Sequence, residues 1–389
     1  MSDLIGYIKG FFRKIDMVLL ILCLSTSAFS TVIMASVTNA PKFGDSARYV
    51  IIHIVAAVLG VGAFLVVSSI DAEFFHEHRS WFFWSNVVLL VLLLTPFGTD
   101  NGTGNRSWLD FPFLPVNIQP AEICKIFYIL IMASVMASHQ NQLSSIRSVF
   151  HMVIHLFVIF AMNLLISRDA GVSLIFFAIF LGMVFAGGVK WYWFAIGIGA
   201  VSVVGPIYWE HLMSTEQKNR ILYVFMPDVI DPTGTDEGWH TIQSLNSLTG
   251  GGLTGQGLFS GNRTQAGSLY AQHTDYIFSS IGEEMGFIGC ILVLVLLFAI
   301  VARCIWVGRQ SHDYMRRMVC FGAASALIFQ IICNVGMCIG VMPVIGLTLP
   351  LISYGGSSIV SIYAMLGLVS GVYARPEPRS HERYILPPR

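Results

Sequence analysis

MVCFGAASALIFQIICNVGMCIGVMPVIGLTLPLISYGGSSIVSIYAMLGLVSGVYA, residues 318–374, runs without a single charged side chain. A helix needs ~20 apolar residues to cross a bilayer, so the stretch is too long for one crossing and right for two. Pro343, Gly346 and Pro350 mark the break, because proline removes a backbone donor and clashes with the preceding turn. Working outward, further apolar spans fall at 17–37, 49–70, 81–97, 120–138, 148–166, 170–189, 191–209 and 280–302, with 318–341 and 353–374 completing the set. The fold class expected is therefore an all-α membrane protein of about ten transmembrane helices. Composition agrees. Charged residues make up 11% of the 389 positions and apolar ones 55%, a balance that water would not tolerate and a bilayer does.

Lys and Arg match Asp and Glu at 22 each, so no global basic field points to a nucleic-acid partner. The distribution of charge is more informative. Fourteen Lys and Arg, including Lys9, Arg13, Lys14, Arg303 and Arg317, fall on one set of ends and loops, and eight on the other. The positive-inside rule then places both termini in the cytoplasm. At 21 residues, Met17 to Val37 is long for a signal-peptide core, usually ~7–15, and reads as a retained first helix. Residues 1–374 form one polytopic domain in this reading, including a large extracytoplasmic loop, 210–279, between helices seven and eight. Residues 375–389 form a polar, proline-rich cytoplasmic tail. All seven cysteines lie in or beside apolar runs with no C-x-x-C spacing, which predicts neither disulfides nor a cysteine metal centre.

Ionisable groups at membrane depth are costly and tend to mark function. Gln119-Pro120-Ala121-Glu122-Ile123-Cys124-Lys125 opens helix four and puts Glu122 and Lys125 on one helix face. An ordinary helix start with an interfacial lysine and a buried pair lining a polar cavity both fit. Arg106 and Trp108 are either interfacial belt residues or a grip for a phosphate and a sugar face. Arg168-Asp169-Ala170-Gly171 is a tight connection that a plain turn would explain. Gly250 to Gly267 is glycine-rich, either as a linker or to let backbone N–H groups approach an anion. His273-Thr274-Asp275 follows, with Glu283 and Glu284 beyond it; Asp275 could simply cap helix eight, or the three carboxylates could serve chemistry. Asn334-Val335-Gly336-Met337 and Ile352 to Ser358 make a polar, small-residue break of the kind that lines cavities. His151 and His155 have i,i+4 spacing without a third ligand, and His76-Glu77-His78 reads as a solvated loop. Asn101-Gly102-Thr103, Asn105-Arg106-Ser107 and Asn262-Arg263-Thr264 fit a glycosylation pattern that arises easily by chance.

In this order the segments resemble the SEDS family, the RodA, FtsW and SpoVE proteins of bacterial cell-wall synthesis, over most of the chain. The resemblance is carried by Trp108-Leu109-Asp110, Gln119-Pro120-Ala121-Glu122 with Lys125, Asp169-Ala170-Gly171, Gln243-Ser244, the Gly250–Gly257 stretch, His273-Thr274-Asp275, Glu283-Glu284, Asn334 to Met337 and Ile352 to Ser358. Departures are Ser107 where the family commonly has Arg, Tyr270-Ala271-Gln272 for Leu-Pro-Glu, and Gly238-Trp239-His240 for Gly-Tyr-Gln. They bear on partner choice and loop geometry more than on the reaction.

What the resemblance implies is a peptidoglycan glycosyltransferase polymerising lipid II at the outer face of the bacterial cell membrane, in elongation, division or sporulation. The short tails lean towards a RodA-like role. Asp275 matches the family's catalytic aspartate. Arg106, Trp108, Gln119, Glu122, Lys125, Asp169, Arg220, His273, Glu283, Glu284, Ser353, Tyr354 and Ser357 are then expected to bind substrate. Arg106, Lys125, Arg220 and a divalent cation, Mg²⁺ or Mn²⁺ at an unassigned site, would stabilise the departing diphosphate. The implied partners are lipid II, membrane lipids and a class B penicillin-binding transpeptidase. A lipid II flippase and a non-catalytic scaffold are the alternative classes, but neither needs Asp275 as a base.

Overall fold

The computed structural model describes residues 15–70, 72–100, 105–112 and 117–374. Lys9, Arg13 and Lys14, the Asn101-Gly102-Thr103 triplet and the 375–389 tail lie outside the described residues. Helices dominate: α1 Met17–Val37, α2 Ser46–Ser69, α3 Arg79–Val91, α4 Pro120–Ser138, α5 Ile146–Met162, α6 Ala170–Ala186 and α7 Trp191–His211. In the loop that follows lie α8 Thr215–Phe225 and α9 Trp239–Gly251; then come α10 Ile277–Gln310, α11 Tyr314–Cys338 and α12 Gly356–Ala374. A two-residue hairpin, Gly98–Thr99 against Trp108–Leu109, is the only sheet among the described residues.

Eight helices are long and apolar enough to cross a membrane: α1, α2, α4, α5 with its π-helical continuation to Ser167, α7, α10, α11 and α12. Arg79–Leu94 and α6 are apolar but shorter. At 1.5 Å per residue each reaches only about 24–26 Å, a little less than a ~30 Å hydrocarbon core. Helix starts are chemically marked. Asp16, Asp45, Ser145, Asp169, Ser214 and Asp313 each accept a backbone N–H of the first turn, and Pro120 stands at the first position of α4.

One apolar core runs from Ile15 to Val369, with α4, α11 and α12 most deeply buried and α7 touching it only through half-buried residues such as Trp193 and Phe194. Small residues let the central helices meet closely. A Cβ on Gly60 of α2 would lie 2.6 Å from Tyr363, and one on Gly367 of α12 would lie 2.7 Å from the Phe64 carbonyl. Deep at one end, Arg303 forks onto Asp16 at 2.8 Å and stacks 4.2 Å over Trp306, tying α10 to the start of α1.

The long α10 is broken at Gly286 (φ 66°), a conformation that a side chain would strain. The carbonyls freed there accept from the glycine-rich segment: Gln256 N–H to Glu283 and Gly257 N–H to Glu284, both at 2.9 Å. Phe287 N–H returns to Gly252 O, also at 2.9 Å. The backbones approach so closely that a Cβ on Gly255 would sit 2.1 Å from Glu284 O. The Gly250–Gly257 run is thus a plug for a broken helix, and its amides satisfy that helix instead of facing an anion.

Candidate functional site

A cavity of about 1500 Å³ opens between the first turns of α2, α4, α6 and α8, the 270–276 turn and the irregular 344–358 segment. Eight of the fourteen residues singled out from sequence line it. Asp275, His273, Tyr354 and Asp169 lie together with Glu122, Gln119, Trp108 and Arg220. Arg106, Lys125, Glu283, Glu284, Ser353 and Ser357 do not line it.

The turn carrying Asp275 is clamped carbonyl by carbonyl. His273 O accepts Tyr354 N–H at 2.8 Å, Thr274 O accepts Ser353 Oγ–H at 2.6 Å, and Asp275 O accepts Asn334 Nδ2 at 2.8 Å. Asn334 Nδ2 also reaches Leu347 O at 2.7 Å, so one amide holds the Asp275 turn and the irregular segment together. This links His-Thr-Asp, Asn334 and Ser353-Tyr354 into one support, although they stand far apart in sequence. The N-cap of α10 is Tyr276, with no side-chain hydrogen bond, so Asp275 does not cap that helix. A Cβ on Gly346 would lie 3.5 Å from Asp275 Oδ2.

Burial, and after it the Asp169 charge, pushes the Asp275 carboxyl up to about 6. Asp169 caps α6 through Val172 N–H at 3.0 Å and accepts Ser107 Oγ at 3.3 Å. Burial raises its carboxyl too, partly offset by these hydrogen bonds. Lower in the cavity, Glu122 pairs with Lys125 at 2.8 Å and accepts Ser361 Oγ at 2.9 Å. The Lys125 ammonium is consumed by this buried pair. Gln119 N–H donates to Ser357 Oγ at 3.3 Å, joining the start of α4 to α12.

Other expected binding residues are structural supports. Arg106 donates to Thr95 O at 2.8 Å and Gly98 O at 3.3 Å, bracing the hairpin that presents Trp108. Glu283 accepts Arg263 N–H, Thr264 N–H and Thr264 Oγ at 2.7, 3.0 and 2.6 Å. Glu284 accepts Ser36 Oγ at 2.5 Å and Gln265 Nε2 at 2.7 Å. These two glutamates anchor the 261–265 turn to α10 and α1. Arg263 reaches back to Gln243, and Ser244 donates to Cys338 O at 2.7 Å, fixing α9.

Sequence reading missed the wall formed by Lys42, Phe43, Arg48 and Tyr49. Lys42 donates to Leu269 O at 2.6 Å and Gly267 O at 3.1 Å, and burial lowers its pKa. Arg48 lines the cavity with its guanidinium in no ion pair with a described residue, whereas Arg220 lies 3.5 Å from Glu237. The His273 ring packs against Phe43 at 5.0 Å, Tyr354 at 5.5 Å and Tyr49 at 5.7 Å. Burial, with Lys42 second, lowers it to about 4, so it is neutral. The available signal was the pairing of a cation with an aromatic twice in eight residues, Lys42-Phe43 and Arg48-Tyr49. Among the described residues no group of three or more His, Cys, Asp or Glu is arranged to hold a metal ion, so the side chains do not fit a protein-only metal centre.

Fold and site together define a polytopic helical membrane protein with an acidic, aromatic-walled cavity near one membrane face. The chain belongs to the FtsW/RodA/SpoVE family, whose model, described as cell cycle protein, matches residues 14–376. It is 30% identical over 366 residues to a probable peptidoglycan glycosyltransferase FtsW of Geobacter metallireducens, covering 93% of this chain and 96% of that protein. To the peptidoglycan glycosyltransferase MrdB of Escherichia coli K12 it is 29% identical over 369 residues, 94% and 95% of the two chains. A chain in a solved peptidoglycan synthase complex that coordinates polymerization and crosslinking superposes with TM-score 0.77 at 26% identity, over 95% of this chain and 99% of that one.

Proposed function

We propose that this protein is a peptidoglycan glycosyltransferase that polymerises lipid II, with the cavity as its active site, at the outer face of the bacterial cell membrane. Asp275 carries the reading: a carboxylate held on a clamped turn, facing a cavity, accepting no hydrogen bond from a described residue, and poised near 6. Such a group is ionised at neutral pH and still basic enough to take a proton.

Asp275 removes the proton from the acceptor sugar hydroxyl as that oxygen attacks the anomeric carbon of the donor. The bond to the polyprenyl diphosphate breaks on the opposite face, so configuration inverts. Arg48, Arg220 and Lys42 are the cavity cations placed to bind the diphosphate and stabilise its departing charge. Trp108, Tyr49 and Tyr354 offer apolar faces for sugar rings. Asp169 raises the basicity of Asp275, and the Glu122–Lys125 pair holds the cavity floor. A divalent cation, Mg²⁺ or Mn²⁺, would enter on the donor's diphosphate, because Mg²⁺ commonly binds through substrate phosphates. The synthase complex among the structural relatives supports a class B penicillin-binding transpeptidase as partner.

The test is to purify the chain, add lipid II, a divalent cation and a partner transpeptidase, and resolve the products. Glycan ladders are expected. Lipid II crossing liposome bilayers without ladders would replace the polymerase with a flippase.

A further inference from the structure

At the far end of α4 lies a cluster of arginines and histidines that the proposed reaction does not use. The helix is 19 residues long, about 28 Å at 1.5 Å per residue, so its last turn reaches the membrane face opposite the cavity. His139 follows that turn, and His151 and His155 lie one turn apart on α5. The rings of His139 and His151 are 5.4 Å apart, as are those of His151 and His155, which are stacked. Arg79, at the start of α3, donates to Ser138 Oγ at 3.2 Å. Arg147 is exposed in the first turn of α5, and both guanidinium groups act electrostatically on the His151 ring. His139 Nδ1 donates to Val135 O at 2.9 Å, so in the neutral ring Nε2 is an acceptor and the charge of the cluster rests on Arg79 and Arg147.

No described carboxylate forms an ion pair with either arginine. The ion pairs among the described residues join Lys125 to Glu122, Arg220 to Glu237 and Arg303 to Asp16, and none involves the cluster. The surface beside it is apolar and faces outward. Ile146, Phe150, Val153, Ile154 and Phe157 are exposed at i, i+4, i+7, i+8 and i+11, one face of α5. Trp81 and Trp84 of α3 are 74% and 63% exposed, as interfacial tryptophans are. A soluble anion would need only the cations. Cations at the head of a lipid-facing stripe match a molecule with a charged head and apolar chains.

We propose that Arg79 and Arg147, with the His139 and His151 rings packed between them, bind the phosphodiester headgroup of an anionic phospholipid whose acyl chains lie along the α5 stripe. The lipid bridges α3 and α5 over the end of α4 and sets a negative charge beside the two arginines.

Native mass spectrometry of the full chain, released from nanodiscs of phosphatidylcholine doped with phosphatidylglycerol, tests this. Wild type retains phosphatidylglycerol in preference to phosphatidylcholine. Arg79→Gln/Arg147→Gln weakens that retention roughly thirtyfold, about fivefold per arginine, with thermal unfolding in phosphatidylcholine alone unchanged. Should the double variant misfold, Arg79→Gln and Arg147→Gln are read singly in the same way, and each weakens retention about fivefold. Equal retention by folded variants overturns the proposal. So does arginine-dependent binding of inorganic phosphate in detergent without phosphatidylglycerol retention, which would assign the site to a soluble anion.

Discussion

Replacing Asp169 with asparagine removes one charge beside Asp275 and changes little else. Asparagine caps helices about as well as aspartate, so the Val172 N–H at 3.0 Å keeps an acceptor and α6 keeps its start. Asp275 stands at about 6 against 3.8 for an unperturbed aspartate, with burial the larger cause and Asp169 the second. The displacement is therefore about 2 pH units, and the Asp169 share is less than about one. With Asp275 as the base, the acid limb of the rate profile follows its ionised fraction. At pH 5 the wild type should run at about one-tenth of its plateau; with the inflection half a unit lower, the variant should run at about one-quarter. The sign is firm, because removing a neighbouring negative charge favours the carboxylate and extends activity to lower pH. The assay is the initial rate of lipid II polymerisation from pH 4.5 to 8, each profile normalised to its own plateau. An acid limb that stays in place, or moves to higher pH, would refute the coupling of the two aspartates.

Two further outcomes separate binding groups from supports. Arg48→Ala should lower kcat/KM by ~10–150-fold, the equivalent of losing a charged hydrogen bond worth ~1.5–3 kcal/mol, at an unchanged unfolding temperature. Arg106→Ala should instead lower the unfolding temperature, because its guanidinium braces the Thr95 and Gly98 carbonyls; steady-state kinetics and thermal unfolding in detergent read both. Lys125→Met strands the buried Glu122 and should destabilise by ~3–5 kcal/mol, while Glu122→Gln/Lys125→Met recovers part of that loss. Equal destabilisation of the single and double variants in chemical unfolding would count against a paired role.

The helices were legible in the sequence because a bilayer demands long apolar runs. Met17–Val37 and Pro120–Ser138 have the expected bounds, and the other apolar spans differ by a few residues, up to eight at the end of α10. Those shifts arise where caps, kinks and polar turns set the ends: Asp45 starts α2 earlier, and α10 continues well past its apolar window to Gln310. The 210–279 loop was expected as one long loop and folds largely as helices, because its polar helical faces carry no strong apolar period. At the site, residue type was readable and role was not. Glu283 and Glu284 look catalytic beside Asp275 in sequence, yet a helix puts neighbouring side chains on different faces, and both meet the 261–265 turn. Arg106 was expected at the diphosphate and Arg48 was not, yet the hairpin carbonyls claim the first and the cavity exposes the second. The three-carbonyl clamp on the Asp275 turn was hidden because backbone acceptors leave no trace in composition.

Asp275→Asn is the most direct test of the base, since the amide keeps the shape of the side chain and cannot take the proton. With purified protein, lipid II, a divalent cation and partner transpeptidase, glycan ladders from the variant should form ~10²–10⁴-fold more slowly than from wild type, at an unchanged unfolding temperature. Ladders from Asp275→Asn at near wild-type rate would contradict the assignment of Asp275 as the base.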